Sequence, residues 1–112
     1  MYRAMFAEYN NKIPMMEFIE TLSLQEKAEL TSAIDKLIDL KNNNNRISEK
    51  LSKFLRDGIF ELRVTHLNKI SRSLYFYKKD KTIVFTHGFI KKQDKTPNSE
   101  IEKAIKIRNE VG

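Results

Sequence analysis

An α+β fold is the prediction for this 112-residue chain, and three observations carry it. Residues 58 to 87 read as closely spaced strands joined by tight turns, helical patterns stand on both sides of them, and no segment repeats. The expected order is β-α-α-β-β-β-α, a small antiparallel sheet flanked by helices. A chain this short has room for one domain, residues 1 to 112, and one modest core. Any site must therefore be built from a few side chains on one scaffold.

The opening "YRAMFAEY" alternates imperfectly and runs into the polar "NNK", which predicts a first strand over about residues 2 to 9. Pro14 suits the first turn of a short helix, "PMMEFIETL", where its missing N–H costs nothing. Ser23 and Glu26 are spaced as a capping box ahead of a long amphipathic helix at 24 to 41. Leu24, Ala28, Thr31, Ile34 and Ile38 share its inward face, flanked by Leu30 and Leu37. "KNNNNR" ends it, because asparagine side chains compete with helical backbone bonds, and the tract reads as a linker. "ISEKLSKFLRDG" predicts another helical turn or two, with Leu51, Phe54 and Leu55 inward and Asp57-Gly58 as the break. Strands are then expected at 58 to 66, 70 to 78 and 82 to 87, linked across "LNK" and Asp80-Lys81 as an antiparallel meander. In "TPNSEIEKAIKIRNE", Thr96 is placed as N-cap and Pro97 as the first helical residue of a helix burying Ile101, Ala104 and Ile105 or Ile107.

Composition excludes several chemistries. The absence of cysteine removes disulfides, thiolate nucleophiles and cysteine-based zinc sites. Two histidines, His66 and His87, form no motif with metal-ligand spacing, "KT" at 95 and 96 lacks the glycines of a phosphate-binding loop, and no nucleophile elbow exists. No cofactor and no metal are expected. Mean hydropathy is negative and no run approaches the roughly 18 apolar residues of a spanning helix. The N-terminal stretch, with Glu8 early and no cleavage site, makes a poor signal peptide, so the expectation is a cytoplasmic protein without a membrane partner. The formal charge of +6 is unevenly spread: residues 1 to 45 hold five Lys/Arg against seven Asp/Glu, and residues 46 to 112 hold sixteen against eight. Such asymmetry fits a polyanionic partner engaged by the second half, and equally a basic surface that is merely solvated.

Alternation in "GIFELRVTH" turns Phe60, Leu62, Val64 and His66 one way and Glu61, Arg63 and Thr65 the other, the solvent-facing way. Arg72, inside the strand-forming run "ISRSLYFY", must reach an edge, a cleft or a partner. His87-Gly88 closes the third strand, and Lys91, Lys92 and Lys95 follow directly. RNA cleavage needs such groups. The 2′-hydroxyl must lose a proton, the phosphorane's charge must be stabilised, and the departing 5′-oxygen must be protonated. Histidine or Glu61 can move protons, arginines match phosphate oxygens in pairs, and lysines supply charge or a proton. Each residue also has a plain structural reading: Glu61 with Arg63 as a surface pair, Arg72 as an ion-pair partner, both histidines as structural, the three lysines as a solvated loop. Tyr75 and Tyr77 fit sheet packing, although an aromatic beside Arg72 could stack a base.

Taken together, "LRDGIFELRV", "SRSLYFYKKDKTIVFTHGFIKK" and "DKTPNSEIEKAIKIRNE" resemble the phage-related HigB branch of the RelE superfamily of bacterial toxins. The most specific piece, HGF-x-KK-x-x-KTP-x-x-EIE-x-A, runs from His87 to Ala104. The resemblance implies the toxin of a type II toxin-antitoxin system: a metal-independent mRNA interferase, an endoribonuclease that cuts mRNA on the ribosome and so inhibits translation. It also implies neutralisation by a HigA-like antitoxin with a helix-turn-helix domain. By motif position it implies Glu61, Arg63, Arg72, His87 and Lys92 as catalytic and Lys91 and Lys95 as RNA-binding; Tyr75 joins the RNA-binding set from its place beside Arg72, where an aromatic could stack a base. The rival reading is a non-catalytic basic module that binds RNA or a partner on the same face.

Overall fold

The computed structural model describes residues 1–111. The elements are β1 (Arg3–Phe6), α1 (Pro14–Glu20), α2 (Leu24–Asn42), β2 (Ser52–Arg56), β3 (Ile59–His66), β4 (Lys69–Tyr77), β5 (Thr82–Ile90) and α3 (Asn98–Val111). The fold is α+β, as expected, but the sheet is larger than expected and mixed. Five strands lie in the order β1-β5-β4-β3-β2, antiparallel throughout except that β1 runs parallel to β5.

The added strand is β2, where helical turns were expected. Asp57 and Gly58 both take positive φ, 53° and 78°, so that Arg56 and Ile59 pair across a two-residue turn. Left-handed backbone at both central residues is what the tightest hairpins require, and Asp-Gly supplies it at little steric cost. Pairing with β3 then overrides the helical spacing. Ser52 is buried, with its hydroxyl 2.6 Å from that of Tyr75, whereas Phe54, expected inward, is 53% exposed.

The helices follow their sequence signals more closely. Pro14 opens α1, and Ser23 and Glu26 make both bonds of the capping box at α2. On α2 the buried residues are Leu30, Ile34 and Leu37; Leu24, Ala28 and Thr31, expected inward, are solvent-exposed, so the buried stripe is centred on the flanking leucines. Asn42 does more than end the helix: its side-chain oxygen accepts the Tyr2 N–H at 2.7 Å and ties down the N-terminal strand. That strand stops at Phe6, short of the expected residue 9, and Asn10 and Asn11 turn the chain with positive φ between the bridged Tyr9 and Lys12. On α3, Ile101, Ala104 and Ile107 face inward, which settles the alternative left open between Ile105 and Ile107.

Helices α1 and α2 cover one sheet face over a core that includes Leu62, Tyr75, Ile83 and Phe85. Helix α3 covers the other over Ile59, Leu74, Phe76 and Val84. Alternation along β3 and β4 puts Glu61, Arg63 and Arg72 on the α3 face, beyond the helix's apolar contacts. His66 belongs to the opposite layer and joins Glu29 of α2 at 2.9 Å. Among the described residues no helix is long and apolar enough to cross a membrane.

Candidate active site

Strand register brings the cationic residues together. Arg63 stands directly opposite Arg72 on β4, and Glu61 is flanked by Leu74 on β4 and Lys53 on β2. Two like charges facing each other across a ladder repel. The Glu61 carboxylate, fully buried, relieves that repulsion. Arg63 Nε donates to Glu61 Oε2 at 2.8 Å, and Arg72 Nη1 lies 3.8 Å from Oε1.

Thr96 completes the arrangement. Its hydroxyl donates to Glu61 Oε1 at 2.5 Å and accepts from Arg72 Nη1 at 2.7 Å. Arg72 Nη2 donates to the Asp94 carbonyl, also at 2.7 Å, while its Nε is buried without a partner. Thr96 was expected to cap α3. Its oxygen is used by the arginine and the glutamate instead, and α3 begins at Asn98 with the Pro97 carbonyl accepting from Glu100 and Ile101. The expected solvent-facing Glu61–Arg63 surface pair is likewise corrected. Segment 94–96 and α3 fold over that face, so Glu61 is sealed while the Arg63 side chain keeps 27% exposure.

Over these residues lies a cavity of about 430 Å³ lined by Lys53, Arg56, Arg63, Arg72 and Lys95, with Glu61 and Asp94 as its only carboxylates among the described residues. Its volume falls in the range of small-ligand sites, roughly 300–1,000 Å³. Arg56 is occupied by Asp57, Asn98 and Glu102. Lys53 and Lys95 have no carboxylate within salt-bridge reach among the described residues. An excess of unneutralised cations over a buried carboxylate suits an anion of phosphate type.

The other expected site residues lie apart from this cavity. Strand β5 continues past the expected end to Ile90, so His87 sits within it, 2% exposed beneath α3. Its Nε2 is 3.0 Å from Glu100 Oε1 and its Nδ1 is 3.1 Å from Thr86 Oγ1. Burial pulls the imidazole pKa below its ordinary value, and nearby Lys103 pulls the same way against the Glu100 carboxylate. Lys91 and Lys92 line a second cleft of about 510 Å³ with Arg72, Phe89 and Glu100; Lys91 Nζ pairs with Asp94 at 3.2 Å. Tyr75 is corrected as an RNA contact: it points into the core under α1 and α2, 1% exposed, stacked on Phe60. Tyr75 lies three residues beyond Arg72 on β4, so strand alternation alone sets them on opposite faces; the bulge lies on β5, where Thr86 is skipped between the Leu74–His87 and Tyr75–Phe85 pairs.

Two cavity residues escaped the sequence reading. Lys53 is hidden by the helical reading of 47 to 58, and a regular hairpin about Asp57-Gly58 would pair Phe54, not Lys53, with Glu61; the register shift between Phe54 and Arg56 is what sets Lys53 opposite the glutamate. Thr96 stands in the KTP motif but reads locally as a helix cap, because its contacts with Glu61 and Arg72 span 35 and 24 residues. Among the described residues no group of three or more His, Asp or Glu side chains is placed to hold a metal ion.

No curated protein matches the chain. A family model described as "Phage derived protein Gp49-like (DUF891)" matches residues 17–109, from α1 through nearly all of α3. The chain belongs to this phage-derived Gp49-like family, which is related to RelE/HigB toxin-like proteins.

Proposed function

We propose that the protein is a HigB-type toxin of a type II toxin-antitoxin system, an endoribonuclease that cuts mRNA on the ribosome in the cytoplasm and is neutralised by a helix-turn-helix antitoxin. The observation that carries the reading is the cavity in which Lys53, Arg63 and Lys95 surround the buried Glu61. Family membership and the resemblance in the stretch from His87 to Ala104 agree with it. An RNA strand enters with its scissile phosphate against Arg63 and the two lysines, which stabilise the extra charge of the phosphorane. Glu61 holds Arg63 in place and is the cavity carboxylate nearest the paired arginines, the acceptor for the 2′-hydroxyl proton through a lone pair that its bonds to Arg63 and Thr96 leave free. A lysine of the 91–95 segment protonates the departing oxygen. His87, with both ring nitrogens engaged, supports α3 rather than moving protons.

Inducing the chain in a bacterial host tests this. Growth arrest with mRNA cut inside translated codons, relieved by an adjacent helix-turn-helix gene product, supports the reading; normal growth with intact mRNA opposes it. One observation favours a second reading, the non-catalytic basic module: both Glu61 oxygens and both Arg72 Nη groups are already bonded within the protein. That module predicts salt-dependent RNA binding without cleavage.

A further inference from the structure

Arg72 grips the chain on both sides of Lys95. One terminal nitrogen holds the carbonyl of Asp94 and the other the hydroxyl of Thr96, each at 2.7 Å, with Lys95 between them. Arg72 is 3% exposed, so its remaining reach toward a ligand is small. Lys95 is exposed at the cavity's edge, without a carboxylate partner among the described residues. Thr96 passes the grip on to Glu61, which fixes the far end against β3.

We infer that Lys95 contacts RNA phosphate at this site beside Arg63 and Lys53, and that Arg72 is a positioning residue that acts through Lys95. The inference rests on the proposed RNA-cleaving function and changes the expected role of Arg72, from phosphate ligand to clamp. The physical basis is entropic. A lysine at the tip of a free loop loses backbone and side-chain freedom on binding, whereas one between two fixed neighbours has already lost much of the backbone part. Arginine suits the clamp because its planar fork serves two acceptors at once, which a single ammonium does less well.

The test is equilibrium binding of a short fluorescein-labelled 2′-O-methyl oligoribonucleotide, which resists cleavage, to the full chain across a KCl series. Thermal melts verify that each variant is folded. Lys95→Ala should weaken binding on the order of tenfold, as loss of one charge-assisted bond does, and lower the slope of log K against log salt by about 0.7, one phosphate on a single strand. Arg72→Ala should weaken binding alone but add nothing in the Lys95→Ala background. Thr96→Val keeps every cation and the side-chain shape, and so remains informative if Arg72→Ala unfolds. It should weaken binding in the wild-type background and leave Lys95→Ala unchanged.

Additive losses from Arg72 and Lys95, or tighter binding by Thr96→Val because a guanidinium nitrogen is released, would overturn the clamp while leaving the RNA reading intact. A wild-type chain that binds no RNA at any salt would overturn both.

Discussion

Arg63 and Glu61 stand two residues apart on β3, joined by a 2.8 Å hydrogen bond in which the carboxylate is wholly buried and the arginine reaches a cationic cavity. Burying a lone carboxylate is costly, and here Arg63, Arg72 and Thr96 surround it. Removing Glu61 leaves two opposed arginines uncompensated. Glu61→Ala should lose about 3–5 kcal/mol of stability, as broken buried ion pairs do, measured from urea midpoints. Glu61→Gln, which retains shape and one acceptor, should lose less. A midpoint unchanged in Glu61→Ala would mean that the carboxylate is not needed to hold the arginines.

His87 sets a pH dependence with a definite sign. Burial lowers its folded pKa, so below the ordinary value of about 6.5 the unfolded chain binds a proton that the folded chain resists. Stability therefore rises with pH through the window from the depressed folded pKa up to about 6.5, and this contribution is flat above it. Urea unfolding of the wild type and His87→Gln across that window should show a steeper acid loss in the wild type. Parallel curves would rule out His87 as the source.

Gly88 lies on the α1 side of β5 against the ring of Phe18. A Cβ there would come within 2.3–2.9 Å of three ring carbons. Gly88→Ala should cost about 1–3 kcal/mol, the usual penalty of overpacking. Adding Phe18→Leu should recover part of it, a coupling that a double-mutant cycle measures directly.

Tyr75→Phe removes the 2.6 Å bond to Ser52 without changing the packed ring. The expected loss is about 1 kcal/mol of stability, with RNA binding unchanged. A selective loss of binding would return Tyr75 to the site.

Leu67 turns the β3–β4 hairpin at φ 53°, with 85% of its surface exposed. A branched side chain in left-handed backbone is strained and here gains no burial. Leu67→Asn should raise stability by about 1 kcal/mol. Thermal melts decide it.

The legible parts of the sequence were those written in local chemistry. Ser23 and Glu26 announced the start of α2, and Pro14 that of α1. Alternation in "FELR" separated Glu61 and Arg63 from Leu62 correctly. What alternation could not show was which face α3 would close, and so Glu61 was expected in solvent. Strand β2 is hidden because Leu51, Phe54 and Leu55 also fit a helical spacing, and Asp57-Gly58 serves equally as a helix break or as a hairpin turn. The contacts of Arg72 with Asp94 and Thr96 depend on where a long connection returns to the sheet, and no short-range pattern encodes that.

The most direct measurement is primer extension on a reporter mRNA in a reconstituted translation system, with and without ribosomes, comparing the intact chain with folded Arg63→Ala. Cuts inside translated codons that require both ribosomes and Arg63 are the expected result. Intact mRNA in every lane, from a folded chain that still binds RNA or ribosomes, would contradict it and leave a binding module.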